Sequence, residues 1–300
     1  MKYYVGIDLG GTNVRVAKVD DEGNIIQDII ESSHGSTGPR ELVRDTIFSM
    51  LDRVEDLGEC EGIGIAVPGP VDVYNRVMPI SNNLKDFEDY PLAKLLEERY
   101  QMPVFIDNDA NMAGLAEALL GAGKGKPIVY YITHSTGIGG ALIVDGKVIS
   151  GQMGFAGEIG NIIVRDGCVK YSKYLNAGSA ESESSGTGLG RKAKALYGED
   201  AGSKELFDKA REGDEKALAV IDEMAVNMGR LLATIGQIAD PHVFVFGGGV
   251  SQSSELYWPR MIEAYHEYFN GIRYAEIRKA QLKEPGVLGA ALLVKENGKV

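Results

Sequence analysis

Cysteine, tryptophan and histidine are scarce in this chain, with two, one and four residues respectively among 300. The two cysteines, Cys60 and Cys168, lie far apart in sequence, so they form no disulfide framework. They fit a reducing cytoplasm, where such thiols behave as small apolar side chains. The four histidines, His34, His134, His242 and His266, show no metal-ligand spacing and are expected on the surface or in packing. No apolar run approaches the roughly 18 residues of a membrane span. Met1-Lys2 leads straight into an alternating apolar segment, without a charged-then-apolar leader, so a cytoplasmic chain with no membrane partner is expected. Positive charge is also in deficit: 31 Lys and Arg against 43 Asp and Glu give a formal net charge of −12. That balance argues against nucleic acid as the main partner, because such binding needs a basic face. What remains is ordinary for a globular chain, 44% hydrophobic and 25% charged, and its length fits two domains of roughly 100–200 residues each.

The most informative segment is Asp8-Leu9-Gly10-Gly11-Thr12-Asn13. It stands between two runs of period-2 alternation, Tyr3 to Ile7 and Val14 to Val19, and so reads as a tight hairpin turn offering a carboxylate and bare backbone amides. A strand follows it. Walker loops and dinucleotide fingerprints need a glycine-rich turn that opens a helix, so this turn must handle phosphate in another way. A second turn at Asp20 to Asn24 and a third strand from Ile25 complete a meander. The spacing then predicts a helix over 40–57, a buried strand over 62–67 closed by Pro68-Gly69-Pro70, a helix from Pro91, and a strand over 103–106. That strand ends in Asp107-Asn108-Asp109-Ala110-Asn111, which reads either as a catalytic cluster or as a helix N-cap. A helix over 112–120 leads to the linker Gly121 to Pro127. The opening theme then returns: Ile128 to Ile132, the turn Thr133-His134-Ser135-Thr136-Gly137, and Ile138 to Val144. Two glycine-rich hairpins point to a duplication, with both turns gripping one polyphosphate across a cleft. Beyond them the pattern predicts a charged helix over 204–220 and a more apolar one over 222–240. A strand over 242–246 then runs into Gly247-Gly248-Gly249, where a flat ring or a phosphate can touch backbone.

Read together, these pieces resemble the ROK family of bacterial sugar kinases and repressors, within the hexokinase and actin superfamily. The motifs that carry the resemblance run the length of the chain in the family's order. They are Asp8 to Thr12, Val67 to Asp72, Asn108 to Asn111 with Glu117, Thr136 to Gly140, Gly157 to Gly160, Gly247 to Val250 and Gly286 to Ala291. The resemblance implies an α/β, two-domain actin-like ATPase (ribonuclease H-like) fold. Its small domain is expected at 1–120, joined by a C-terminal helix at 285–300, and its large domain at 121–284. It implies ATP-dependent phosphorylation of a hexose 6-hydroxyl, glucose first, with other hexoses and N-acetylhexosamines as alternatives and a non-catalytic sugar sensor behind them. Repressors of the family carry a helix-turn-helix ahead of the first phosphate turn, where this chain has only residues 1–7.

Carried onto this sequence, the resemblance makes Asp109 the base. It places Gly10, Gly11, Thr12, Asn13, Thr136 and Gly137 on phosphate, and Gly247, Gly248 and Gly249 on adenosine. Asp8 would steer Mg²⁺ through water. Gly69, Asn83, Asn108, Glu158, Asn161 and Glu181 would hold the sugar. A homodimer is implied as well. One departure stands out: the family's zinc-binding histidine and three cysteines are replaced by Asn161, Ser172, Tyr174 and Ser179. Zinc wants thiolate and imidazole ligands, so no zinc is expected, and the loop from Asp166 to Ser184 is left to packing or a partner subunit.

Overall fold

The computed structural model describes residues 1–81 and 83–297, so the last three residues of the expected C-terminal helix lie outside it. The chain opens with the strands β1 (Tyr3–Leu9), β2 (Asn13–Asp20) and β3 (Ile25–Ser32), followed by α1 (Arg40–Leu51), β4 (Ile63–Val67), α2 (Leu92–Tyr100), β5 (Val104–Asn108) and α3 (Asp109–Leu119). These strands form one sheet in the order β3-β2-β1-β4-β5. The meander is antiparallel, while β4 pairs parallel with both β1 and β5. Strand β4 is buried at every position, as a strand covered on both faces must be, whereas the edge strand β3 has no fully buried residue.

The second sheet contains β6 (Ile128–His134), β7 (Ile138–Val144), β8 (Lys147–Val148), β9 (Val243–Gly247) and β10 (Glu276–Lys279). Its order is β10-β9-β6-β7-β8. Numbered from its own first strand, each sheet reads 3-2-1-4-5, the topology a duplicated half would leave. The second sheet is mixed too, with β10 and β9 parallel and β7 and β8 antiparallel. The helices of this half are α4 (Ala180–Ser184), α5 (Gly186–Tyr197), α6 (Ser203–Arg211), α7 (Glu215–Ala239) and α8 (Trp258–Phe269), and α9 (Pro285–Asn297) ends the described chain. None of the described helices is long and apolar enough to cross a membrane.

The chain divides into two compact units. One holds Met1–Tyr131, Ala141–Gly157 and the chain from Gln281 onward, and the other holds Ile132–Gly140 and Glu158–Ala280. In the first unit, Val43, Ile47, Met50 and Leu51 of α1 and Leu92, Ala93 and Leu96 of α2 bury one face of the sheet. Met112, Leu115 and Ala116 of α3, with the run Ala290 to Val294 of α9, bury the other. Helix α9 rests directly on strand backbone: a Cβ at Gly64 would lie 1.8 Å from the Ala290 carbonyl oxygen, and one at Gly6 would lie 2.1 Å from that of Val287. Only glycine allows that approach.

The periodicity misplaced several boundaries: the helix expected over 40–57 ends at Leu51, the one expected over 112–120 begins at Asp109, and the second unit holds the largest miss. The helix expected over 204–220 is instead two helices that break at Gly213, with φ of +87°, and the following apolar helix begins earlier, at Glu215. Asp214 caps it by accepting the Ala217 N–H at 2.9 Å. A charged amphipathic pattern runs through both segments, so only the glycine and the capping aspartate mark the break.

Candidate active site

In the first unit, the β1–β2 turn is closed by the Gly10 N–H donating to the Asn13 carbonyl at 2.9 Å. Gly11 sits against a second segment, where a Cβ would lie 2.7 Å from the Asn83 carbonyl oxygen. Ser36 Oγ donates to that same carbonyl at 3.1 Å. The β1–β2 turn and Asn83 are therefore neighbours, and Thr12, Asn13 and Asn83 are exposed. Asp8 lies opposite Arg15 in the β1–β2 register. Desolvation pushes its carboxyl above the usual range, the Arg15 charge pulls it back, and Glu284 adds to the rise. Arg15 is itself held by Asp28, through Nε at 2.8 Å and Nη2 at 2.6 Å, and by Glu284. Gly286, in the first turn of α9, leaves room for the Asp8 carboxylate, which a Cβ there would meet at 2.5 Å.

The corner from β5 into α3 is braced by side-chain hydrogen bonds. Asn108 caps α3, its Oδ1 accepting the Ala110 N–H at 2.8 Å and the Asn111 N–H at 3.3 Å, and its Nδ2 donates to the Gly69 carbonyl at 2.8 Å. Gly69 has φ of +97°, which aims its carbonyl there. The capping reading thus belongs to Asn108. Asp109, the first residue of α3, is exposed, with Oδ1 accepting the Ala110 N–H at 2.7 Å.

Asp107 supports the corner from inside. Its carboxylate accepts from the Asn108 N–H at 2.7 Å, Asn111 Nδ2 at 2.8 Å and Ser150 Oγ at 2.9 Å, and it is 4% exposed. Desolvation raises its pKa and those three bonds oppose the rise.

In the second unit, the β6–β7 turn closes through the Ser135 N–H donating to the Gly137 carbonyl at 2.9 Å. Glu181 lies against this turn, with Oε2 accepting the Ile138 N–H at 2.9 Å. A Cβ at Gly137 would come within 2.6 Å of that oxygen, so the glycine makes the contact possible. Desolvation, and then the charge of Glu181, push the Glu158 carboxyl above its ordinary range. Two carboxylates are therefore gathered beside a phosphate-type turn, a pairing suited to sugar hydroxyls.

Gly249 of the glycine turn lines a cavity of about 360 Å³ with Ser135, Thr136, Gly186, Thr187, Ser203 and Val250. A larger hollow of about 670 Å³ shares Gly186, Thr187 and Ser203, and is walled by Arg191 and Lys194 among others. Helix α5 is docked onto the turn: the Gly186 N–H donates to the Ser135 carbonyl at 2.7 Å and the Thr187 N–H to that of Thr136 at 3.1 Å. Gly186, Thr187 and Ser203 were not anticipated. Gly186 and Thr187 are marked only by a Gly-Thr-Gly opening a helix after serines, a pattern that helix capping alone explains, and Ser203 reads only as the first residue of another helix.

The residues standing where the family's zinc ligands would be do not fit that metal. The Asn161 Oδ1 accepts the Asn176 N–H at 2.7 Å, and its Nδ2 donates to the Tyr174 carbonyl at 3.4 Å. Ser172 Oγ accepts the Tyr174 N–H at 3.1 Å, and Ser179 Oγ caps α4 by accepting the Ser182 N–H at 3.3 Å. Each polar group has a local hydrogen-bonding task, and no thiolate or imidazole stands among them. The loop is thus held by its own hydrogen bonds as well as by packing.

A family model described as ROK family matches residues 4–297. The glucokinase of Thermotoga maritima is 30% identical over 313 residues, spanning 97% of each chain. Among solved structures, the ROK hexokinase from Thermus thermophilus has a TM-score of 0.90 at 34% identity, covering 99% of each chain. A ROK family glucokinase from Streptomyces griseus, in complex with glucose and AMPPNP, has a TM-score of 0.79 at 29% identity, covering 98% of this chain and 99% of that one. The two mixed sheets with flanking helices are thus the α/β fold of actin-like ATPases.

Proposed function

The chain belongs to the ROK family, and from that premise we propose that it transfers the γ-phosphoryl group of ATP to the 6-hydroxyl of a hexose, glucose first. It is a sugar kinase. The observation that carries the mechanism is Asp109, exposed on the first turn of α3 beside an Asn108 fixed through the helix cap and the Gly69 carbonyl.

Asp109 takes the proton from the sugar hydroxyl as that oxygen bonds to the γ-phosphorus. The bond from phosphorus to the β–γ bridging oxygen breaks, and ADP leaves. Gly69, Asn83, Asn108, Glu158, Asn161 and Glu181 hold the sugar, the two glutamates accepting from its hydroxyls. Gly10, Gly11, Thr12 and Asn13 serve the phosphates in one unit, and Thr136 and Gly137 in the other. Gly247, Gly248 and Gly249 border the adenosine, with the cavity at Gly249 and Thr136 supporting that placement.

A single desolvated carboxylate at a phosphate turn fits Mg²⁺, which keeps most of its waters and takes other ligands from phosphate oxygens. Asp8 would hold the ion through water, and the ion, when bound, neutralises charge on the phosphates. Zinc has no part in the reading. The family resemblance also favours a cytoplasmic homodimer.

The test is ADP release measured over a panel of glucose, mannose, fructose, allose and the N-acetylhexosamines. Turnover should be greatest with glucose and fall about 10² to 10⁴-fold in Asp109→Asn. Equal, negligible turnover in both proteins with every sugar would make the chain a sensor rather than a kinase.

A further inference from the structure

His134 takes no part in the proposed chemistry, yet it is fully buried at the end of β6, one residue before the second phosphate turn. Its Nε2 lies 2.7 Å from the Ser184 carbonyl oxygen. A carbonyl can only accept, so Nε2 carries the proton and Nδ1 is left as an acceptor. Tyr257 Oη, 3.3 Å from Nδ1, supplies the matching donor, and the two rings meet edge to face with centroids 5.7 Å apart. The His134 backbone is occupied as well. Gly248, with φ of +88°, packs so closely that a Cβ there would lie 2.4 Å from the His134 carbonyl oxygen. One residue therefore joins the end of β6, the Ser184 segment that leads into α5, the glycine turn after β9, and the residue that opens α8.

These attachments surround the cavity of about 360 Å³ without entering it. Ser135 follows His134, Gly186 comes two residues after Ser184, and Gly249 follows Gly248; all three are walls of that cavity. Resting on the kinase reading above, we propose that His134 is a positioning residue for the nucleotide: a neutral imidazole that sets the spacing between the Thr136 turn, the start of α5 and the Gly247–Gly249 turn. Deep burial keeps the ring neutral, lowering its pKa to about 4, so both of its hydrogen bonds persist at physiological pH. An apolar residue of similar size would leave the Ser184 carbonyl and the Tyr257 hydroxyl buried without partners, and the walls would drift to satisfy them. Glu158 and Glu181 make no hydrogen bond to His134, although Ser184 ends the short helix α4 that carries Glu181, so the larger effect should fall on the nucleotide.

The test compares His134→Leu, His134→Asn and His134→Gln by calorimetric titration with ADP and, separately, with glucose, alongside steady-state kinetics. Gln carries an N–H at about the reach of Nε2, whereas Asn and Leu do not. The expected result is an ADP affinity and a KM for ATP about tenfold poorer in Leu and Asn. Gln should return to within about threefold of the parent, and glucose affinity should change less than about twofold in all three. If Leu does not fold, the Asn and Gln pair decides the matter, with circular dichroism and Tm establishing that both fold. Equal ADP affinity across Gln, Asn and the parent overturns the proposal and leaves the kinase intact, as does a parallel loss of ADP and glucose affinity. Failure of the parent itself to bind ADP sinks the kinase reading and the proposal with it.

Discussion

Asn176 donates twice to Asn161: its backbone N–H to Oδ1 at 2.7 Å, and its Nδ2 to the carbonyl at 3.2 Å. Asn161 stands where the family resemblance implies a metal ligand, and the pair does the anchoring with amides. The Tyr171 ring adds to it by stacking under Arg191, 3.5 Å from its centroid. Asn176→Ala should therefore loosen the loop of residues 166–178, read as hydrogen exchange there about tenfold faster. A chelator should leave exchange and activity unchanged. Activity lost to the chelator and restored by zinc would refute this account.

The turns and the strand-to-helix corner are written locally. Each hairpin declares itself through alternation on both sides of a glycine-rich turn, and the 107–111 cluster marks a strand-to-helix corner because carboxylates and amides crowd onto a helix N-terminus. The walls of the cavity at Gly249 were not so written. Thr136, Gly186, Ser203 and Gly249 come from four separate segments, and each suits an ordinary turn or cap unless the others are beside it. The Asp107–Ser150 bond is hidden for the same reason, since nothing near Ser150 announces its partner. Asn161 was placed by resemblance on the sugar, but local sequence gave no sign that both ends of its amide would be drawn into the following loop.

Glu117 offers a test of the first unit's stability. It is fully buried, with Oε1 accepting the Gln281 and Leu282 N–H groups at 2.8 Å each and Oε2 accepting that of Ala122 at 2.8 Å. Glu117→Ala removes one buried and two part-buried hydrogen bonds, at about 1 kcal/mol apiece, so a loss of roughly 3 kcal/mol is expected. Glu117→Gln keeps one acceptor oxygen and should lose less. Urea unfolding measures both, and an alanine variant within about 1 kcal/mol of the parent would contradict the role.

Sugar binding should weaken on the acid side sooner than a free glutamate would dictate. Desolvation and the neighbouring Glu181 charge raise the Glu158 pKa, so falling pH protonates Glu158 early and removes an acceptor for sugar hydroxyls. Glucose affinity followed by titration calorimetry should decline as pH drops through that raised pKa. Glu158→Gln should bind more weakly but with a flatter pH response. An unchanged acid decline in the variant would assign the titration to another group.

His134 predicts the acid limb of stability as well. Its folded pKa is lowered to about 4 from the ordinary 6.5, so between those values the unfolded chain binds a proton that the folded chain refuses. The contribution is fully present above pH 6.5 and is lost progressively as pH falls towards 4. At about 1.4 kcal/mol per pH unit across that window, the fold gives up on the order of 3 kcal/mol. His134→Gln cannot titrate, so its unfolding free energy should fall less steeply over the same range, although the variant is less stable than the parent near pH 7. Parallel stability curves for parent and variant from pH 7 to 4 would mean that the imidazole is charged in the folded state, and the assigned tautomer would then fall.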